Sequence, residues 1–329
     1  MTELRLIAGS GRSGTTWVLD AIASANGLRP VFEPLNPFAS EMGHRYAHQA
    51  LGRDDSHEDL KVFLESVFAG RELRLWTKYR RHRRLLIPSS VELRDASGLP
   101  RMLRGWVKFL KETPGLAKMA TFRDPLVKCI WSNLMLGWIV RQFDCRLVFL
   151  VRHPGAVIES ELRNNWNATF ALEQFRSSSR FQALTKGRYQ TLLNQELTPI
   201  EGLAARWLIE NQWVVEQAPS IGAEVVFYEH LKLQPVTEWE RVRRALDVRH
   251  VPSVAILAKP SQQSAPHGSA AAARITGNPR WLAALTGTQS MQIQSILGRG
   301  KFDLYSMEAE EPRIPSANAA RVPSPEEPR

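Results

Sequence analysis

The chain has 329 residues, 43% of them hydrophobic, which suffices for a large buried core and excludes wholesale disorder. Its 43 basic and 33 acidic side chains leave a formal charge of +10, which favours anionic ligands: nucleotide, acidic glycan, nucleic acid or a membrane surface. No apolar run approaches the ~18 to 20 residues that cross a bilayer. The only cysteines, Cys129 and Cys145, stand in apolar surroundings and read as reduced core thiols, so a cytoplasmic protein without signal peptide is expected. The sequon Asn167-Ala168-Thr169 is then incidental, and no repeat of solenoid period is present.

Residues 4–8 form an apolar run interrupted by Arg5 and read as a buried strand. Gly9-Ser10-Gly11-Arg12-Ser13-Gly14 follows, and Thr15 and Thr16 open a helix over 15–25 that stops at Asn26-Gly27. Glycines let the backbone turn and point amides inward, while hydroxyls, the helix start and Arg12 favour a phosphate. An NTPase loop needs Lys where Thr15 stands. The dinucleotide fingerprint fits Gly9, Gly11 and Gly14, with Glu33 at the spacing of a ribose-binding acid. A third reading fits more closely: Arg12-Ser13-Gly14-Thr15-Thr16-Trp17 resembles the 5′-phosphosulfate loop of sulfotransferases that use 3′-phosphoadenosine 5′-phosphosulfate (PAPS).

Residues 30–33 read as a second strand ending at Glu33, which Pro34 is expected to hold extended and aimed at the cleft. FEPLNP resembles the Phe-Glu-Pro segment of carbohydrate 6-O-sulfotransferases and many bacterial ones, which implies Glu33 beside the reacting hydroxyl; a surface glutamate in a turn is the alternative. Residues 36–115 loosen into short helices, the best over 59–68, and read as a helical, substrate-facing insertion. His44 and His48 have the spacing of a metal pair, but nothing nearby completes a ligand set, so no metal is expected. The basic cluster 78–84 reads as a solvated face or a seat for an anionic acceptor or lipid headgroup. A strand is expected over 116–122 and a helix over 126–141, with Asp124 either at the cleft, as its resemblance to the family's Lys-Asp-Pro turn implies, or as that helix's N-cap.

Residues 147–151 are continuously apolar, as in a central parallel strand; Arg152 leaves its end and Pro154 starts a helix carrying Ser160. An arginine and a hydroxyl can thus converge on a second phosphate about one nucleotide from the first. This pair resembles the family's 3′-phosphate motif, and a hydride-transfer enzyme would have no use for it. Helices are expected over 187–194 and 199–216, with Trp207 and Trp213 in the core, and a strand over 224–228. VVFYEHL resembles the family's Tyr-Glu-Asp-Leu, which implies Tyr228 beside the adenine and Trp17 as stacking partner. A helix over 238–246 precedes a Ser, Gln, Ala and Gly stretch over 259–277, read as a mobile loop offering Lys259, Ser261 and Ser264. A last helix over 289–297 leads to a tail after Met307, expected to be disordered.

The expectation is an α/β, P-loop-type three-layer domain over 1–306 with a mostly parallel sheet. The resemblance implies sulfuryl transfer from PAPS to a small-molecule, glycan or lipid hydroxyl. Gly11, Arg12, Ser13, Gly14, Thr15, Thr16, Trp17, Arg152, Ser160 and Tyr228 would bind the donor, with Arg12 and Glu33 as the catalytic groups. Neither a metal nor nucleic acid enters that reading; a nucleotide- or polyanion-binding protein without catalysis and a Rossmann oxidoreductase are the alternatives.

Overall fold

The computed structural model describes residues 4–38, 40–69, 71, 124–257 and 279–313. The basic cluster 78–84, the strand expected over 116–122, much of the expected insertion, and Lys259, Ser261 and Ser264 lie outside them. The first half of the described chain runs β1 (Arg5–Gly9), α1 (Thr15–Asn26), β2 (Arg29–Phe32), α2 (Glu41–Tyr46), α3 (Glu58–Phe68), β3 (Pro125–Cys129), α4 (Leu136–Phe143) and β4 (Arg146–Val151). Helices α5 (Pro154–Arg163), α6 (Thr169–Ser177), α7 (Ser179–Thr185), α8 (Gln190–Leu193) and α9 (Pro199–Ile221) follow, then β5 (Ala223–Phe227). The remainder is helical: α10 (Tyr228–Leu233), α11 (Pro235–Ala245), α12 (Val254–Leu257), α13 (Arg280–Ala284) and α14 (Gly287–Arg299).

The five strands form one sheet in the order β2-β3-β1-β4-β5, and every neighbouring pair is parallel. Side chains alternate across its faces. Leu6, Ala8, Val127, Cys129, Leu147, Phe149 and Val151 join a core with α3, α4, α5 and α9. Ile7, Leu126, Val148, Leu150 and Val226 join a second core with α1 and α11. Helices on both faces of a parallel sheet make a three-layer α/β fold. Arg5 lies at the sheet's lower edge, where Nε donates to Leu246 O at 2.7 Å and Nη2 to Asp247 O at 3.1 Å.

The helix expected over 126–141 is not there. Pro125–Cys129 is strand β3, inserted between β1 and β2, and only Leu136–Phe143 is α-helical, after a 3₁₀ turn at Asn133–Met135. A short apolar run does not distinguish strand from helix by periodicity, and burial on both faces decides it here. Asp124 is therefore neither an N-cap nor at the cleft. It precedes β3 at the strand's N-terminal end, 3.8 Å from Arg5, with its carbonyl accepting from Arg29 N.

Candidate functional site

Parallel strands deliver their C-terminal ends to one edge, and β1, flanked by β3 and β4, opens the crevice there. The chain leaves β1 through Gly9 at φ 151°, where an added Cβ would stand 2.4 Å from Leu150 O. Gly14, at φ 101°, is the N-cap of α1, and no side chain caps that helix. In the first turn of α1, Trp17 N donates to Gly14 O at 2.9 Å, and the amides of Thr15 and Thr16 precede the first intrahelical bond at a positive helix end. Thr15, Thr16 and Ser13 are buried there, the Ser13 hydroxyl donating to Ser10 O at 2.7 Å. Gly11 lets the loop lie against Trp166, whose ring carbon would be 2.6 Å from a Cβ.

Arg12 joins the loop to the second motif. Its backbone sits in the left-handed region at φ 63°, and Nε donates to Ser160 Oγ at 2.9 Å. Arg152, just past β4, donates from Nη1 to Arg12 O at 3.0 Å and lays its guanidinium over the Tyr228 ring, 4.3 Å from the centroid. Arg152 Nε is buried without a hydrogen-bond partner. Burial, followed by repulsion from Arg152 and Arg163, lowers the pKa of Arg12. From the sequence, two phosphate sites about a nucleotide apart are expected, whereas here the Arg12 side chain reaches the very hydroxyl, Ser160, expected at the second. Trp17 meets Tyr228 edge-on at 5.7 Å and Trp239 at 5.2 Å, so the two aromatics named for the nucleoside form one wall.

No protein-family model matches the chain, and no curated protein matches it. Among solved structures, it is similar to a sulfotransferase domain from the curacin biosynthetic pathway, at 16% identity and a TM-score of 0.42, over 93% of this chain and 99% of that one. It is also similar to a sulfotransferase domain from the Synechococcus PCC 7002 olefin synthase, at 20% identity and 0.39, over 93% and 96%.

Glu33 follows β2 at φ 51°, left-handed rather than extended, and this turn swings its side chain under β3. The carboxylate is buried: Oε1 pairs with Lys128 Nζ, and Oε2 accepts from Ile130 N at 2.9 Å. Lys128 also lies over the Phe32 ring at 4.7 Å. His44 and His48 both contact the Phe170 ring, at 6.3 and 6.1 Å between ring centroids. His44 stacks on Phe170, while His48 is buried with Nδ1 3.0 Å from Glu210 Oε1. Among the described residues no group of three His, Cys, Asp or Glu is placed to hold a metal ion. Cys129 and Cys145 are free buried thiols, each pushed up to about 12, chiefly by burial.

Beneath the loop lies a layer of buried polar groups that the motifs did not announce. Asn211 Nδ2 donates to Ser10 Oγ at 2.8 Å, Asn133 Nδ2 to Gly9 O at 3.3 Å, and Arg206 pairs with Glu161. Arg206 and Glu210 stand one turn apart among the buried and mostly apolar residues of α9, a spacing that could have flagged them. Beside Arg152, His153 Nδ1 accepts from Gly155 N at 3.1 Å and Nε2 donates to Ser306 O at 3.0 Å. Glu229 accepts from His153 N at 2.9 Å and from Tyr305 OH at 2.8 Å, binding the segment after α14 to the end of β4.

Proposed function

We infer that the protein is a sulfotransferase that moves the sulfuryl group of PAPS to an acceptor hydroxyl. The observation that carries this reading is the junction of two anion-binding groups in one crevice: the uncapped start of α1 with its glycine loop, and the Arg152 and Ser160 pair that Arg12 touches from the loop. The residues fit a donor with phosphates at both ends of its nucleoside. Gly11 and Gly14 let the loop pack directly on Trp166 and Tyr228, buried Arg152 Nε lacks a partner, and Trp17 and Tyr228 offer an aromatic wall.

Sulfuryl transfer is an in-line displacement in which the acceptor loses a proton and charge grows on the departing 5′-phosphate. The amides of the loop and of Thr15 and Thr16, with the Arg12 charge, would stabilise that growing charge. Arg152 and Ser160 would hold the 3′-phosphate. Glu33, next to Lys128 at the ends of β2 and β3, would receive the acceptor's proton. The acceptor is a small-molecule, glycan or lipid hydroxyl, and the buried free thiols fit a reducing cytoplasm. No helix among the described residues is long and apolar enough to cross a membrane.

The test is thermal unfolding with adenosine 3′,5′-bisphosphate, the product of the donor, against adenosine 5′-phosphosulfate, which lacks the 3′-phosphate. The bisphosphate is expected to raise Tm and the monophosphate analogue to do so far less. Equal stabilisation would remove the role given to Arg152 and Ser160. One observation favours a binding protein without catalysis: both Glu33 oxygens are engaged within the protein. Bisphosphate binding without sulfuryl transfer to any hydroxyl in an acceptor screen with labelled PAPS would establish that reading.

A further inference from the structure

Glu161 follows Ser160 on α5, but its side chain goes under the loop rather than beside Arg12. Its Oε1 would be 3.2 Å from a Cβ on Gly11, and it pairs with Arg206 of α9. The residue is fully buried, and Oε2 has no hydrogen-bond partner. Its charge acts on Arg12, as does that of Glu159, in opposition to Arg152 and Arg163. Glu159 is engaged by Arg163 and Arg280 at 3.1 and 3.3 Å. Glu161 therefore stands as a carboxylate directly behind a site otherwise built to attract anions. Oε1, the oxygen nearest the loop, is the one that Arg206 engages, and that pairing leaves Oε2 buried and unsatisfied, short of what a carboxylate kept for the pairing alone would be expected to show.

We propose that Glu161 is a positioning residue that tempers the Arg12 charge, weakening the hold on the product bisphosphate so that it leaves after each turnover. This rests on the sulfotransferase reading above. Binding that is equally tight before and after reaction does not speed chemistry, and slow product release limits many enzymes. A counter-charge beneath the loop lowers the affinity without removing any group that touches the ligand. The groups facing Glu161 are Arg12 from the loop and Arg206 and Glu210 from α9, with His48 behind Glu210. Burial, opposed by Arg206, pushes the Glu161 carboxyl up to about 7, so the tempering charge is present above that pH and lost below it.

The experiment is calorimetric and stopped-flow titration of the full chain with adenosine 3′,5′-bisphosphate, comparing the parent with Glu161→Gln. The double variant Glu161→Gln, Arg206→Met guards against misfolding, because it leaves no buried arginine facing a neutral side chain. Both variants are expected to bind about fivefold to thirtyfold more tightly than the parent at pH 8, through slower dissociation. At pH 6, where Glu161 is protonated in the parent, the advantage should vanish, a change that a purely structural role would not produce. A parent that binds while both variants bind equally well or less well at pH 8 overturns this inference alone. A parent that does not bind the bisphosphate overturns the sulfotransferase reading with it.

Discussion

Glu33 gives both carboxylate oxygens to the protein, one to Lys128 and one to the Ile130 amide, so its substitution has two separable consequences. Glu33→Gln should lower kcat by ~100- to 10,000-fold, the usual worth of a placed base, while bisphosphate affinity stays close to the parent's. It should also cost roughly 3 to 5 kcal/mol, because Lys128 is left buried and unpaired. Glu33→Gln with Lys128→Met should recover stability but not turnover; a parental rate in either variant, measured with labelled PAPS, would move the base elsewhere. The place of Glu33 just after β2 was legible because a glutamate between a strand and a proline stands out. Its left-handed φ was not, since that conformation is set by the pairing with β3, which lies about a hundred residues downstream. Lys128 drew no notice in the sequence, because only the register of β3 brings it to Glu33.

At the scale of elements, the loop and α1 were the most legible part of the chain, since each residue's chemistry there follows from local backbone geometry. Gly14 provides the sharpest check. Ala there must keep φ near 101° and would put its methyl 2.6 to 2.7 Å from the Tyr228 ring. Gly14→Ala should destabilise by about 1 to 3 kcal/mol, and Tyr228→Ala in the same chain should restore part of that loss, leaving the backbone strain. Denaturant unfolding of both single variants and the double reads the coupling, and simple additivity would show that the ring does not constrain the loop. Strand β3 was misread because five apolar-rich residues that open on a proline suit a helix start as well as a strand. The fastening residues of α9 were hidden for a related reason: on a long buried helix, Arg206, Glu210 and Asn211 look like isolated exceptions until the fold brings them under the loop.

Across the whole molecule, two buried titrating groups on either side of Arg152 and Arg12 oppose each other. Burial, with a smaller push from the Arg152 charge, holds His153 at about 4. His153 therefore contributes stability that is complete above its ordinary pKa of 6.5 and is lost as pH falls toward 4, on the order of 3 kcal/mol in all. Glu161, raised from 4.5 to about 7, has the opposite sign: its cost is full above pH 7 and is relieved as pH falls toward 4.5. His153→Asn should thus flatten the loss of Tm between pH 6.5 and 4 and Glu161→Gln should steepen it; parallel curves for parent and both variants would show that neither group titrates as described. The central place of β1 also fixes when the molecule becomes competent during synthesis. Its neighbours in the sheet are β3 and β4, and the side chains that hold the glycine loop from outside it come from Asn133, Arg152, Ser160 and Asn211. A nascent chain that has emerged only as far as residue 120 carries the whole loop yet has neither a strand beside β1 nor a tether beneath Ser10. The glycine loop therefore leaves the ribosome well before the residues that hold it in shape.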